Sequence, residues 1–337
     1  MPGAAYDRYG LTGNPFRDLA SESLSDVELY HVNQAVDETI RTIRDEVLEK
    51  ENRAVIAITG DLGVGKTERL RVADADATQR KAFHVYFDIS TKMPWVVQGL
   101  AQEFRKSAQT AGLVKAFGGP AWLRGLAPLE KMKSEGYDPI VAGRAIATAL
   151  NESAPSFLLL NDLHNLVESR EVDVFARTLQ EITDAIRPGV LVMFTCYGSY
   201  VAWLTVNHPA LTSRINRTFA LTALSNDEAT LLLAKKLLAK RIVEDLDPTY
   251  PFDSAAVAAL NTAARGNPRR LLELADLALE YAATHRANRV DVDVVRLSNP
   301  TVAPRSPPAT RPTSAQPRSP TSPPVVRIPD YKEADPV

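Results

Sequence analysis

The apolar run from Ala54 to Thr59 leads directly into Gly60-Asp61-Leu62-Gly63-Val64-Gly65-Lys66-Thr67, and a helical stretch opens at Glu68. A strand, a glycine-rich turn and a helix in direct succession limit the choice of fold more than any other feature of the chain. The eight-residue loop matches the phosphate-binding pattern G-x-x-x-x-G-K-S/T. Its residue types follow from the chemistry: glycines let successive backbone N–H groups turn toward phosphate oxygens, a lysine reaches the β/γ oxygens, and a hydroxyl ligates Mg²⁺. The positive end of the following helix adds to the attraction. Residues 60–68 are therefore the expected ATP-binding set, with Lys66 as the phosphate cation and Thr67 as a Mg²⁺ ligand.

With 337 residues, 45% of them hydrophobic, the chain has material for one or two folded domains. Residues 1–50 hold a loop-like start containing Asn14-Pro15-Phe16. An amphipathic helix over about 32–50 follows, with Val36, Ile40, Ile43 and Val47 at helical spacing. From 51 to 222, short apolar runs at 55–59, 82–90, 156–162, 190–196 and 217–222 alternate with helical segments. Such alternation predicts an α/β domain with a five-stranded parallel sheet between helices. From about 225 to 286 only helical periodicity remains, and residues 223–298 are expected to form a small α-helical lid domain. From 299 to 337 the chain is rich in Pro, Ser, Thr and Arg. It lacks the apolar residues to form a core, so it is expected to be a disordered tail or a docking peptide for a protein partner, anchored at 325–331.

A second nucleotide-site element belongs on a later strand, where Mg²⁺ is held and a water activated. Four apolar residues at 157–160 followed by Asn161 and Asp162 stand at that place. Here the chain resembles the AAA+ ATPases, whose Walker B strand ends in Asp-Glu. The resemblance implies that Asn161 takes the Mg²⁺-side position and Asp162 that of the catalytic Glu, and both are departures. A neutral amide is a weaker metal-shell partner than a carboxylate, and Asp is one methylene shorter than Glu. A shifted register, with Asp162 as the Mg²⁺ residue, is the alternative.

The resemblance covers roughly residues 10–290. It implies a sensor 1 residue at the end of the fourth strand, Thr195 or Tyr197, and an arginine finger at Arg214, with Arg217 behind it, reaching a neighbour's γ-phosphate. It also implies a sensor 2 arginine at Arg269, within Gly266-Asn267-Pro268-Arg269-Arg270. Within the superfamily the motifs look most like the initiator-type, transposition-regulator and ExeA-like group. Initiators of the origin-recognition type carry a winged-helix domain after the lid. Here about a dozen residues separate the lid from the proline-rich tail, so independent origin recognition is not expected.

Other chemistry is excluded by composition. Cys196 is the single cysteine, and the five histidines show no metal-ligand spacing, which argues against a disulfide scaffold or a zinc enzyme. No signal sequence or membrane-length apolar run is present, so a cytoplasmic location without membrane insertion is expected. A net charge of −2 shows no overall nucleic-acid signature. The helical segments between 94 and 150, with Trp95, Trp122 and Leu129-Glu130-Lys131-Met132-Lys133, are read as core packing, with a partner-contacting insertion as the alternative.

The expected partners are a second copy in an ATP-dependent homo-oligomer and either DNA or a protein held by the tail. The altered 161–162 pair predicts ATP turnover below about 1 s⁻¹. Phosphate-release assays should find it raised several-fold by Asn161→Asp or Asp162→Glu.

Overall fold

Parallel strands need crossover connections long enough to hold a helix, and this chain supplies one or more between successive strands. The computed structural model describes residues 5–17, 34–90, 95–114, 119–131, 137–167, 169–243 and 246–299. The tail from 300 onward, including the 325–331 docking candidate, lies outside them, as do His31, Met132 and Lys133.

After helix α1 (Gln34–Leu48) comes strand β1 (Ala54–Thr59), followed by α2 (Lys66–Gln79) and β2 (Phe83–Asp88). Three helices then cross to the next strand: α3 (Val96–Thr110), α4 (Ala121–Glu130) and α5 (Pro139–Glu152). Strand β3 (Ser156–Asn161) is linked by α6 (Val172–Ala185) to β4 (Val190–Cys196), and α7 (Gly198–Asn207) and α8 (Pro209–Thr212) lead to β5 (Arg217–Ala220). The sheet order is β2-β3-β4-β1-β5 with every pairing parallel. Five parallel strands are what the alternation of apolar runs predicts. Because β1 sits between β4 and β5 rather than beside β2, the loop after β1 leaves the sheet at an interior reversal of strand order, where α/β proteins place their ligands.

Side chains alternate across the strands, so each strand feeds two cores. Val55 and Ala57 of β1, Leu158 and Leu160 of β3, and Val192 and Phe194 of β4 face a core completed by α3, α4, α5 and α6. Ile56, Ile58, Phe157, Leu159, Leu191 and Met193 face the opposite core, where Ile40 and Val47 of α1 meet Leu70, Ala73 and Ala77 of α2. Trp122 is buried, with its ring 5.6 Å from Phe83 and 6.3 Å from Phe104. The described part of the long β2–β3 crossover thus packs on the sheet, the first of the two readings the sequence allows.

The helical region comprises α9 (Asn226–Leu238), α10 (Ser254–Ala264), α11 (Pro268–Thr284) and α12 (Val292–Ser298). The starts are written in local chemistry: a Ser225/Glu228 capping box opens α9, Asp253 caps α10, and Asn267 caps α11 with Pro268 at its first position. Helix α12, capped by Asp291, extends the helical region beyond the periodic stretch that ends near 286.

Residues 5–17 pack into this helical core. Tyr6, Tyr9, Leu11 and Phe16 are buried in it. The Tyr9 hydroxyl donates to the Ala287 carbonyl at 2.7 Å, and Asn14 Nδ2 donates to Asp276 on α11 at 2.7 Å. Among the described residues no helix is long and apolar enough to cross a membrane.

Phe16 is fully buried, its ring 5.7 Å from that of Phe252 in an edge-to-face contact. Phe16→Ala should cost about 3–5 kcal/mol of stability through lost burial and the cavity left behind. Urea denaturation checks this, and a loss under about 1 kcal/mol would show that the leading segment is not part of the helical core.

Candidate nucleotide-binding site

The loop after β1 takes backbone angles that side chains rarely adopt: φ is +82° at Gly63 and +94° at Gly65, which caps α2. At Gly63 an added Cβ would also lie 2.8 Å from Asn267 Oδ1 and 3.1 Å from Arg269 Cβ. Glycine is thus required both for the turn and for the close approach of the helical region. Lys66 is buried, its Nζ donating to the carbonyls of Gly60 and Asp61 at 2.8 Å each. The ammonium also lies 4.9 Å from the centre of the Tyr197 ring. Burial pushes its pKa down, and the nearby charge of Asp162 opposes that shift. Arg69 braces the loop from α2: Nη1 donates to the Gly65 carbonyl at 3.0 Å, and the guanidinium pairs with Asp37 of α1 at 3.0 Å.

The end of β3 meets the loop through the Asn161 amide. Its Oδ1 accepts from Thr67 Oγ1 at 3.2 Å and from Thr195 Oγ1 at 2.8 Å. Its Nδ2 donates to Asp88 Oδ1 at 2.7 Å and to Asp162 Oδ2 at 3.3 Å. Of the two residues considered for the Mg²⁺-side position, Asn161 is therefore the one bonded to Thr67. Asp162 has φ +58° and ψ +47°, the left-handed region in which Asp and Asn are several-fold enriched among non-glycine residues. Its N–H donates to Thr195 Oγ1 at 2.8 Å. Thr195, fully buried, thus holds both Asn161, the last residue of β3, and Asp162 just beyond it.

These bonds change what Asn161→Asp would do. The new carboxylate would lose a donor and face Asp88 across 2.7 Å, so the single substitution brings like-charge repulsion, and the rise in turnover expected of it from the sequence no longer follows.

The cleft over the loop is lined by residues 62–69 and Asp162 on one side, and by Leu224, Glu228, Leu232, Pro268, Arg269 and Leu272 on the other. Two bonds tie the sides together: Asn267 Nδ2 donates to the Leu62 carbonyl at 2.6 Å, and the Arg269 N–H donates to the Gly63 carbonyl at 3.3 Å. Arg269 therefore stands directly above the phosphate loop. The hard oxygen donors of Thr67, Asp88 and Asp162 suit Mg²⁺, which is commonly held by one or two carboxylates together with phosphates and water. Loop amides and Lys66 suit the phosphates.

Arg214 is not brought to this cleft. Its Nε pairs with Asp184 near the end of α6, and its Nη1 donates to the Ala210 carbonyl at 2.9 Å and to Ser213 Oγ at 2.8 Å. Asp184 lies just before β4 begins, and Asn216 bonds to Val55 at the start of β1. Arg214 thus stands near the strand starts, whereas the phosphate loop follows the strand ends. Arg217 is exposed at the start of β5. Cys196 is buried, and burial pushes its thiol up to about 12, which leaves it unreactive.

Three contributors escape a reading of motifs. Asp88 ends β2 beside Asn161, and the visible signal is a polar residue closing an apolar strand at the sheet's carboxyl edge. Asn267 reads as a helix cap, yet its amide also reaches the loop. The His164 ring lies 3.8 Å from that of Tyr197, and its pKa is lowered by burial, with the Asp162 charge opposing this and Lys66 adding to it. No local pattern marks the histidine.

No protein-family model matches the chain, and no curated protein matches it significantly. Solved structures do. The ORC1 protein of Aeropyrum pernix in complex with DNA aligns with a TM-score of 0.53 at 15% identity, over 84% of this chain and 68% of that one. Cdc6p from Pyrobaculum aerophilum aligns with a TM-score of 0.57 at 14% identity, over 83% and 69%. The Aeropyrum pernix ORC2 protein in its ADPNP-ADP complexes gives 0.53 at 16% identity, over 78% and 66%. These likenesses establish the fold, which is that of the AAA+ ATPases and resembles the ORC/Cdc6 proteins.

Asn267→Asp keeps the acceptor that caps α11 but loses the donation to Leu62. A net hydrogen bond is worth about 0.5–1.5 kcal/mol, so calorimetry should show ATP affinity reduced roughly 2- to 10-fold with the thermal midpoint shifted by only a few degrees. Unchanged affinity would mean that this bond does not set lid closure.

Proposed function

We propose that this AAA+ chain binds ATP with Mg²⁺ between its α/β and helical parts, hydrolyses it slowly, and uses the bound nucleotide to assemble with further copies of itself. The observation that carries this reading is the convergence on one loop of Lys66 and Thr67, the Asn161–Thr195–Asp162 network and the first turn of α11. Loop amides and Lys66 would hold the phosphates, Thr67 and the acidic oxygens the cation, and Arg269 would close the cleft from above. Mg²⁺, when bound, supplies charge neutralisation at the phosphates.

Asp162 would be the group that orients or deprotonates a water. It is short, and its αL backbone is held by Thr195, so its carboxylate has little freedom to advance. Slow turnover follows from that reach.

Assembly rests on Arg214. Its pair with Asp184 is more than one-third exposed on both sides, and such pairs contribute only roughly 0–1 kcal/mol. A neighbour's γ-phosphate can therefore compete for the guanidinium. DNA is the proposed partner of the assembled form. The support is the fold shared with an ORC1 protein seen in complex with DNA. With a net charge of −2, a basic surface for DNA would be created by assembly, and DNA-stimulated turnover should fall steeply with salt. A nucleotide-switched scaffold that holds a protein through the tail predicts capture dependent on residues 299–337 and no DNA response.

Lys66→Ala should abolish ATP binding with the circular dichroism spectrum unchanged. Arg269→Ala should weaken binding within one subunit. Arg214→Ala should keep monomer affinity yet lose ATP-dependent oligomerisation and turnover. Mixing the Lys66 and Arg214 variants should restore some turnover, because an intact Lys66 site can meet an intact Arg214. A mixture that stays inactive, or a monomer by light scattering at all ATP concentrations, would replace the shared-site reading with a monomeric switch.

A further inference from the structure

The Asn161 amide is committed on both sides. Its oxygen takes the Thr67 and Thr195 hydroxyls, and its nitrogen gives to the Asp88 and Asp162 carboxylates. Side-chain amide groups are oriented by their hydrogen-bond network, and here the two carboxylates require the NH₂ to face them. The position next to Thr67 is therefore neutral by construction, with a negative charge one hydrogen bond away on the adjacent strand.

Asp88 is well placed to supply that charge. It is the last residue of β2 and the register partner of Asn161 in the parallel ladder. Its backbone is held: Ile89 N–H donates to the Asn161 carbonyl at 3.0 Å, and Asn165 Nδ2 donates to the Ile89 carbonyl at 2.7 Å. Asp88 is exposed, and among the described residues Asn161 is its hydrogen-bond partner. Its carboxylate retains acceptor capacity beyond the one bond it receives.

We propose that Asp88 supplies the negative charge of the cation shell that Asn161 lacks: the metal-side carboxylate has moved one strand across the sheet, and Asn161 couples it to Thr67. This rests on the Mg²⁺–ATP reading above. Asp88 would act as a positioning residue for the cation, and Thr67 would supply the loop's hydroxyl to it. It follows that residues 88 and 161 must carry one carboxylate and one amide between them. Two carboxylates repel across 2.7 Å, and two amides leave the site without that charge.

The test is calorimetric titration of the full chain with ATP, in Mg²⁺ and in EDTA. The readout is the factor by which Mg²⁺ tightens ATP binding, which does not depend on turnover. Partners just outside a metal's direct ligands typically change its affinity 10- to 100-fold. Asp88→Asn should lower the Mg²⁺ factor about tenfold or more and leave affinity in EDTA within about twofold of wild type. Asn161→Asp alone should also lower it through repulsion. The double variant Asp88→Asn/Asn161→Asp, which exchanges the two groups, should recover most of the wild-type factor, a coupling that additive effects cannot produce.

If wild type shows a Mg²⁺ factor that Asp88→Asn leaves intact, or if Asn161→Asp alone raises it with no further gain in the double variant, Asp88 is not the charge source and this inference falls. If wild type does not bind ATP, the nucleotide reading fails and this inference with it.

Discussion

One side chain joins the parts of the site. The Asn161 amide bonds to Thr67 at the start of α2, Thr195 on β4, Asp88 on β2 and Asp162 beyond β3, so the phosphate loop and three strand ends share one buried group. Buried polar groups are costly unless satisfied, and here every donor and acceptor of the amide is used. Aspartate accepts but cannot donate, so it could not sit between Asp88 and Asp162 without repulsion. The neutral residue that looks like damage to a Walker B motif is thus consistent with its surroundings, and the altered pair should be judged together with Asp88.

The helical part reaches the loop by a similarly narrow link. Helix α11 begins at the phosphate loop, where Asn267 and Arg269 touch Leu62 and Gly63. Further along, Asp276 on the same helix receives the amide of Asn14 from the leading segment. Burial of Tyr9, Leu11 and Phe16 therefore stabilises the element that caps the nucleotide cleft, although these residues lie about fifty positions before the loop. The leading segment and the first turn of α11 over Gly63 are thus joined through one helix.

Much of this was legible because it is local. The strand, glycine loop and helix at 54–79 follow from residue types within one short window, as do the apolar runs of the remaining strands. What was not legible depends on pairs distant in sequence. Asp88 and Asn161 become neighbours only because β2 pairs with β3 in that register, and a shift of one residue would turn Asp88 to the other face. His164 meets Tyr197 because the turn after β3 lies beside the end of β4. Helix α12 is not legible because seven residues are too few to show periodicity.

The sequence by itself determined the layered α/β architecture and where the candidate phosphate loop stands in it, since such a loop needs its glycines, lysine and hydroxyl in fixed order and a parallel sheet needs helical crossovers. Tertiary structure decided the rest: that Asn161 rather than Asp162 bonds to Thr67, that a carboxylate from β2 stands behind that amide, that the leading segment belongs with the helical core, and that Arg214 faces away from its own phosphate loop. The physical reason is that the first set rests on covalent order and short-range hydrogen bonding. The second rests on strand register and long-range packing, which bring together side chains that no local pattern connects.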